Sequence, residues 1–202
     1  MPDYKLTYFN TEGRAELTRW CFEYGGIPYI DERIEGSTWA QRKKEIPGGQ
    51  VPVLFVDGKP LLESIAIARY VAKQAGLVPQ DDLQAAHCDA LVDALNGLQN
   101  DIYMKVIFSK DEPAEKQRVL LEDVVPNKVN PVLTRLNERL ASRDWFISDK
   151  VTWADLQISL MIGSLTDRVP DMLRNYPHVR KVVDDIRDLK TIKKWIASRP
   201  AQ

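Results

Sequence analysis

The apolar positions in the first third of the chain change from a strand period to a helical one, which predicts a hairpin followed by a helix. Short apolar runs at Val53–Val56 and Leu61–Leu62 flank Asp57-Gly58, a pair that favours a two-residue turn. Beyond them, alanine and valine recur over 68–75 at the spacing of one helix face. Ser64 is therefore predicted at a helix N-terminus, where free backbone N–H groups can bind a carboxylate.

The segment before this hairpin predicts a strand, a helix and a second strand. Tyr4–Phe9 alternates in the manner of a half-buried strand, and 29–34 has the composition of another. Between them, apolar residues mark one helix face: Leu17, Trp20, Cys21 and Tyr24. Parallel pairing of the two strands needs such a crossover helix. Pro60 costs a ladder hydrogen bond, so its strand is predicted at the sheet edge. This order of elements matches a thioredoxin-like α/β domain.

The rest of the chain lacks strand alternation and predicts an all-helical domain. Residues 76–82 combine Gly, Pro and Asp, which end one helix and begin the next. The predicted fold class is therefore α/β plus all-α, with a thioredoxin-like domain over 1–77 and a helical domain over 83–202. Within the second domain, helical patterns cover 83–108 and 115–140.

Prolines and one capping pair add detail to the helical domain. Pro126 and Pro131 predict a bend in the helical stretch that contains them. Thr152 followed by Asp155 is a capping-box arrangement, so Asp155 is predicted to be structural rather than a catalytic acid. Pro177 suits the first turn of another helix. A last apolar helix face is predicted from Ile192, Trp195 and Ile196.

Composition excludes several classes of partner. The 202 residues carry 28 basic and 29 acidic side chains, so there is no electrostatic case for binding nucleic acid or an anionic membrane. No leader-like apolar segment and no run of about 20 apolar residues is seen, which favours a cytoplasmic protein. Cysteine redox chemistry and a metal site are not expected, because these residues lack partners at ligand spacing: Cys21, Cys88, His87 and His178.

Three motifs together resemble the sigma class of cytosolic glutathione transferases. They are the Tyr4–Phe9 strand with Gly13-Arg14-Ala15-Glu16, the run Gln50-Val51-Pro52-Val53-Leu54, and Glu63-Ser64 at the start of a helix. The resemblance implies an enzyme that conjugates the thiolate of glutathione to small hydrophobic electrophiles, a detoxification reaction. It also implies isomerisation of prostaglandin H2 to prostaglandin D2, an activity found in this class.

The resemblance implies a role for each motif residue. The Tyr8 phenol would donate a hydrogen bond to the glutathione sulfur, and Arg14 would support the resulting thiolate. Trp39 and Lys43 stand one helical turn apart and would hold the glycyl carboxylate; a packed Trp beside a solvent-facing Lys is the alternative. The remaining implied contacts are Gln50, Val51 and a cis Pro52 for the cysteinyl backbone, and Glu63 with Ser64 for the γ-glutamyl carboxylate.

A second-substrate pocket and a homodimer are also implied. The pocket would have Phe9 and Gly13 on one wall and Tyr103, Met104 and Ile107 on the other, unless the last three are ordinary helix core. Prostaglandin-isomerising members of the class have a tryptophan where this chain has Met104. In this class, a run of aspartates at the dimer interface can hold a divalent ion. The chain has Asp93, Asn96 and Gly97 at those places, so stimulation by a metal is not expected.

Two alternatives use the same fold. The first is a non-catalytic ligand carrier or crystallin-like structural protein, against which the presence of Tyr8 and Arg14 argues. The second is a glutathione-dependent thiol oxidoreductase. That reaction would need a cysteine where Tyr8 stands, whereas Cys21 lies well inside the first helix.

Overall fold

The computed structural model describes residues 1–200, which form two compact units. The strands are β1 Tyr4–Phe9, β2 Ile30–Ile34, β3 Val53–Val56 and β4 Lys59–Leu61. The helices are α1 Glu16–Gly25, α2 Trp39–Arg42, α3 Ser64–Gln74, α4 Asp82–Ile102, α5 Pro113–Val119, α6 Asn130–Arg139, α7 Trp153–Arg168, α8 Pro177–Asp188 and α9 Lys190–Ser198. Among these residues no helix has both the length and the apolar run that a bilayer crossing requires.

The first unit is built on a mixed sheet of strand order β2-β1-β3-β4. β1 and β2 pair in parallel, as the crossover through α1 requires, while β3 is antiparallel to both β1 and β4. Pro60 lies on the edge strand β4, where its missing N–H costs least, and this prediction is confirmed. The thioredoxin-like fold predicted for this part of the chain is confirmed.

The hairpin between β3 and β4 has the predicted two-residue turn. Asp57 and Gly58 both have positive φ values, of 48° and 76°. A turn of this kind matches the right-handed twist of the paired strands, and it needs residues that tolerate the left-handed region. The turn aligns Leu54 with Leu61. The chain then leaves β4 and enters α3 at Ser64, as predicted.

Each face of the sheet is covered by a different cluster. On one face, the Tyr4 ring contacts Phe22 of α1 and Tyr70 of α3, with centroid distances of 5.3 and 6.4 Å. Fully buried Leu6 lies next to Tyr4 on this face. The opposite face carries an apolar cluster of residues from three strands, α2 and the segments beside it: Phe9, Ile34, Trp39, Ile46, Val51, Val53 and Phe55.

The last helix, α9, belongs to the first unit. Residues 188–200 group with Met1–Val78, and α9 packs on α1. Buried Ile192 and the Trp195 indole, which donates a 2.7 Å hydrogen bond to Glu16, make the contact. The second unit therefore spans Pro79–Arg187, a shorter segment than the 83–202 predicted for the helical domain. A predicted amphipathic helix face does not specify which surface it covers, so pattern alone could not assign α9 to a unit.

The second unit packs its helices around α7. Every residue of Trp153–Gly163 is buried, so this segment is the centre of the helical core. The predicted capping box is present: the Asp155 carboxylate accepts from the Thr152 backbone N–H at 2.8 Å and from the Phe146 backbone N–H at 2.9 Å. The buried stripe of α4 includes Val92 and Leu95.

Proline alters the helical stretch predicted over 115–140. The chain forms α5, then a π-helical segment at Leu120–Val129, then α6. Pro126 lies inside the π-helical segment and Pro131 lies in the first turn of α6, where a missing N–H is tolerated. The predicted irregularity is present, but it takes the form of a wider turn that re-routes the backbone hydrogen bonds around Pro126.

Candidate active site

The Tyr8 phenol lies at the end of β1 and is held by the turn that follows the strand. The side chain is 9% exposed, and the Arg14 backbone N–H donates to its oxygen at 3.1 Å. A hydroxyl has two acceptor lone pairs and one hydrogen, so this bond leaves the phenolic hydrogen available to a further acceptor. Accepting a hydrogen bond also polarises the O–H bond and strengthens it as a donor.

Gly13 allows the close approach of this turn to Tyr8. Its φ is +44°, and a Cβ atom at this position would lie 2.5 Å from the Tyr8 hydroxyl oxygen. Any larger residue would therefore either displace the phenol or move the turn. The sequence resemblance placed Gly13 in the second-substrate wall that also contains Tyr8, and the structure shows Gly13 directly against the Tyr8 phenol.

A buried guanidinium, Arg19, fixes the loop between β1 and α1. The side chain is fully buried, and one of its nitrogens donates both to the Thr11 carbonyl at 2.7 Å and to the Glu16 carboxylate at 3.1 Å. Its Nε donates to Asp31 of β2 at 3.1 Å. The guanidinium also lies 5.8 Å from the centroid of the Tyr8 ring. Sequence reasoning missed this residue, although Glu16 and Arg19, opposite charges at i and i+3 in the first turn of α1, are a recognisable pair.

A small cavity of about 80 Å³ collects most of the residues that the resemblance assigns to glutathione. It is lined by Arg14, Pro47, Gly48, Gln50, Val51, Pro52, Leu62, Glu63 and Ser64. The Val51–Pro52 peptide bond is cis, as predicted. Pro47, Gly48 and Leu62 were not predicted. They belong to the turn before Gln50 and the end of the hairpin, so their nearness to the cavity follows from the pairing of β3 with β4.

The start of α3 forms one side of this cavity. Ser64 is the first residue of the helix, and Glu63 at the N-cap has φ 68° and ψ 113°. Backbone N–H groups in the first helical turn lack intrahelical acceptors and carry the positive end of the helix dipole. A carboxylate placed in the cavity near Ser64 would satisfy them. The unusual conformation of Glu63 is one that non-glycine residues adopt rarely, and such residues cluster at binding sites.

Three of the predicted glutathione residues do not line this cavity: Tyr8, Trp39 and Lys43. Tyr8 is joined to it through Arg14. The rings of Tyr8 and Phe9 are 5.6 Å apart, and the Trp39 ring lies 5.1 Å from that of Phe9. Lys43 is exposed, and its Cε lies 3.5 Å from the Cβ position of Gly49, in the turn before Gln50.

The second unit carries the other predicted apolar residues on a π-helical continuation of α4, at Tyr103–Ile107. Met104 is 69% exposed, so it is not helix core, and Ile107 is also exposed. The Tyr103 hydroxyl accepts a 3.0 Å hydrogen bond from Gln99. Phe108, exposed and 5.6 Å from the Tyr103 ring, extends this apolar surface and was missed, although it follows Met104 by one turn.

The cysteine thiols are not placed for redox chemistry. Both Cys21 and Cys88 are buried. Burial raises the pKa of the Cys21 thiol far above its ordinary value and that of Cys88 to about 11. The thiolate is the reactive form, so neither group would be an effective nucleophile at neutral pH. Over the same described part of the chain, His, Cys, Asp and Glu form no cluster able to hold a metal ion.

A thioredoxin-like unit with a tyrosine at the end of its first strand, a cis-proline cavity beside a helix N-terminus, and a following helical unit define a glutathione-binding class of protein. Comparison with known families agrees. Residues 4–73 match the model described as "Glutathione S-transferase, N-terminal domain", and 100–199 match "Glutathione S-transferase, C-terminal domain". The chain belongs to the glutathione S-transferase family, as predicted, and glutathione is the co-substrate of that family.

Full-length relatives bear this out. The chain is 38% identical over 200 residues to Hematopoietic prostaglandin D synthase of Gallus gallus, covering 99% of this chain and 98% of that one. It is 35% identical over 204 residues to Glutathione S-transferase 1 of Ascaris suum, with the same coverage. Its fold matches rat hPGDS complexed with a quinoline, with a TM-score of 0.87, 35% identity, and 100% and 99% of the two chains covered.

Proposed function

We propose that this protein joins glutathione, through its sulfur, to small hydrophobic electrophiles, with Tyr8 as the group that stabilises the thiolate. The observation that carries the proposal is the hydrogen bond from the Arg14 backbone N–H to the Tyr8 oxygen. It fixes the phenol at the end of β1 and leaves its hydrogen free to donate to a sulfur atom. Membership of the glutathione S-transferase family supplies the co-substrate.

The chemistry follows from the charge on sulfur. A cysteine thiol has a pKa of about 8.5, so most of it is protonated at neutral pH. A hydrogen bond from Tyr8 to the ionised sulfur lowers the pKa of the thiol, and about 1.4 kcal/mol of such stabilisation makes ionisation tenfold more favourable. The thiolate attacks an electrophilic carbon, a carbon–sulfur bond forms, and the leaving group departs with the electron pair of the broken bond. The Arg14 side chain, which lines the cavity, supplies positive charge near the thiolate.

The cavity residues would hold the tripeptide in register. The γ-glutamyl carboxylate binds Ser64 and the first turn of α3, with Glu63 beside it. The cysteinyl backbone pairs with Val51, in the manner of an added strand, while Gln50 flanks it. At the other end, Trp39 and Lys43 donate to the glycyl carboxylate. The two glutathione carboxylates thus meet a helix N-terminus and a cation, which fixes the direction of the peptide.

The second substrate would contact apolar side chains. The proposed contacts are Phe9, Tyr103, Met104 and Ile107. The exposure of Met104 and Ile107, with exposed Phe108 next in the chain, supports this role, because contiguous exposed apolar surface is typical of binding sites.

Isomerisation of prostaglandin H2 to prostaglandin D2 is a second candidate activity. It is supported by the full-length relatives named Hematopoietic prostaglandin D synthase, at 34–38% identity. The thiolate would attack one endoperoxide oxygen, and the O–O bond breaks with its electron pair left on the other oxygen as an alkoxide. The carbon that bears the sulfur-bound oxygen then loses a proton, its C–H electron pair forms the carbonyl, and the S–O bond breaks to regenerate the thiolate. The alkoxide takes up a proton and becomes the hydroxyl of the product, so the reaction is a net isomerisation. Incubation with prostaglandin H2, with and without glutathione, tests this activity; a product ratio identical to that of the uncatalysed reaction would exclude it.

We also propose that the active form is a homodimer. An exposed apolar groove of about 300 Å³ in the second unit supports this. It is lined by His87, Ala90, Leu91, Ala94, Leu95, Val132, Arg135, Leu136 and Arg139. A second copy of the chain would remove from water the apolar side chains of the groove that the single chain leaves at least partly exposed: Ala90, Leu91, Ala94 and Val132. The cytoplasmic location expected from the sequence stays a prediction.

Replacement of Tyr8 by Phe tests the proposed chemistry. A hydrogen bond to a charged group contributes about 1.5–3 kcal/mol, so we expect dye-conjugation turnover to fall about tenfold to a hundredfold. Glutathione affinity, measured by calorimetry, should be largely kept because the cavity contacts remain. Tyr176→Phe, in the second unit, is the matched control. Equal turnover in Tyr8→Phe and the wild type would remove Tyr8 from the mechanism.

A further inference from the structure

We propose that Arg199, beyond the end of α9, is a positioning residue for Tyr8 and so sets the acidity of the bound glutathione thiol. The inference rests on the proposed function of Tyr8. Arg199 is far from Tyr8 in sequence and is not among the residues that line the cavity. It acts through the Gly13–Ala15 turn, which supplies the Arg14 N–H to the phenol oxygen.

The Arg199 guanidinium joins the two ends of this turn. One of its terminal nitrogens lies 2.5 Å from a Glu12 carboxylate oxygen, and the other lies 3.2 Å from a Glu16 carboxylate oxygen. Glu12 directly precedes the turn and Glu16 directly follows it. A planar guanidinium with donors fixed in two directions therefore sets the separation of these carboxylates, and with it the path of the three residues between them.

Burial makes this arrangement strong. The Glu16 side chain is 1% exposed, and those of Glu12 and Arg199 are about one quarter exposed. The Glu16 carboxylate also accepts from the indoles of Trp20 at 3.3 Å and Trp195 at 2.7 Å. Charge pairs removed from water interact more strongly and are screened less by salt than surface pairs. α9 is thus held against the loop that carries the active-site turn.

The two ends of the turn are not equally supported. Glu16 keeps the buried Arg19 as a second cationic partner when Arg199 is removed. Glu12 has its ion pair to Arg199 and its backbone carbonyl bond from the Glu16 N–H at 3.1 Å. Loss of Arg199 therefore loosens the Glu12 end first. The Arg14 N–H then bonds Tyr8 less well, and the phenol becomes a weaker donor to sulfur.

The expected signature is a change in titration rather than a general loss of activity. In Arg199→Ala, we expect the pKa of the bound glutathione thiol to rise, with turnover at a pH below both thiol pKa values reduced about threefold to tenfold. Above both pKa values the sulfur is ionised in either protein, so the difference should shrink. Glutathione affinity should change less than turnover, because Arg199 does not line the cavity.

The experiment follows the ultraviolet absorbance of the bound thiolate against pH at saturating glutathione, with calorimetric affinity and melting temperature measured in parallel. Arg199→Lys should give an intermediate pKa, because an ammonium reaches one carboxylate better than two. Glu12→Gln removes the carboxylate charge that pairs with Arg199 and should reproduce the rise in the pKa of the bound thiol. Lys193→Ala is the matched control, since Lys193 lies on the same helix and pairs only with exposed Asp188 among the contacts described.

The outcomes separate the two proposals. A raised thiol pKa in Arg199→Ala and Glu12→Gln, but not in Lys193→Ala, supports the positioning role. If Tyr8→Phe raises the thiol pKa while Arg199→Ala and Glu12→Gln only lower the melting temperature, the positioning role is overturned and the function of Tyr8 stands. If Tyr8→Phe leaves the titration unchanged, the proposed function fails, and the inference with it. Should Arg199→Ala not fold, Glu12→Gln decides the matter.

Discussion

The position of the Tyr8 phenol depends on two neighbours that act without a side chain: a glycine and a backbone N–H group. Gly13 leaves space against the phenol, and Arg14 holds the phenol with its backbone N–H. The charged side chains that support this arrangement, Arg19 and Glu16, lie in the layer behind it and are buried. A buried ion pair that loses one partner typically costs about 3–5 kcal/mol, so these residues hold the loop in one conformation.

A Cβ atom at residue 13 is predicted to impair catalysis without removing the phenol. In Gly13→Ala, the added carbon would meet the Tyr8 oxygen at 2.5 Å and would occupy a backbone conformation with φ +44°. We expect steady-state turnover to fall at least about tenfold, toward that of Tyr8→Phe, because the phenol is displaced from the sulfur.

Gly36→Ala is the control for this change, since a Cβ there would meet no atom within 4 Å. Its turnover should equal that of the wild type. Unimpaired activity in Gly13→Ala would show that the phenol tolerates the displacement, and so would contradict the tight placement inferred from the structure.

At the level of elements, helix N-termini serve two different purposes in this fold. α3 begins where the hairpin ends. The N–H groups of its first turn have no side-chain cap and lie at a cavity, where a ligand could accept their hydrogen bonds. α7 begins inside the helical core, and its free N–H groups are satisfied by the capping box of Thr152 and Asp155. Unpaired N–H groups at a helix N-terminus therefore form a candidate binding site in one unit and a stabilising cap in the other.

Removal of the α7 cap is predicted to destabilise the protein without altering the chemistry. Asp155→Ala leaves the buried N–H groups of Thr152 and Phe146 without their acceptor. The free energy of unfolding should fall by about 3 kcal/mol, or roughly 6–12 °C in melting temperature. Turnover per folded molecule should be unchanged. Asp149→Ala, at an exposed site in the preceding loop, is the control; an equal loss in the two variants would contradict the capping role.

At the level of the whole molecule, α4 carries two apolar stripes. One, which includes Val92 and Leu95, is buried in the helical unit. The other, Leu91 and Ala94, is at least partly exposed and lines the groove. A wide apolar surface on a helix does not reveal from sequence alone which part faces the same chain and which part faces another.

A charge on the second stripe is predicted to separate the proposed dimer. Leu91→Arg would replace an apolar side chain of the groove with a guanidinium, which is unfavourable to desolvate and adds a third positive charge beside Arg135 and Arg139. Sedimentation should show the molecular mass changing from two chains toward one, with the far-ultraviolet circular dichroism unchanged. Ala86→Arg, exposed on the same helix outside the groove, should remain a dimer. A dimer that persists in Leu91→Arg would place the interface elsewhere.

The sequence by itself determined the local architecture and the chemical type of this protein. Strand alternation, the Asp57-Gly58 turn, the edge Pro60 and the Thr152–Asp155 cap are short-range signals, and each of them is present in the fold. The motifs around Tyr8, Val51-Pro52 and Glu63-Ser64 were enough to identify the family.

Only the tertiary structure decided which distant residues share an environment. It brought Arg199 to Glu12 and Glu16, placed Gly13 against the Tyr8 oxygen, and gave α9 to the first unit rather than to the helical one. The physical reason is that an apolar helix face or a charged residue in the sequence predicts that a partner is needed but does not identify the partner. That choice is made by the packing of the whole chain, in which contacts far apart in sequence form together.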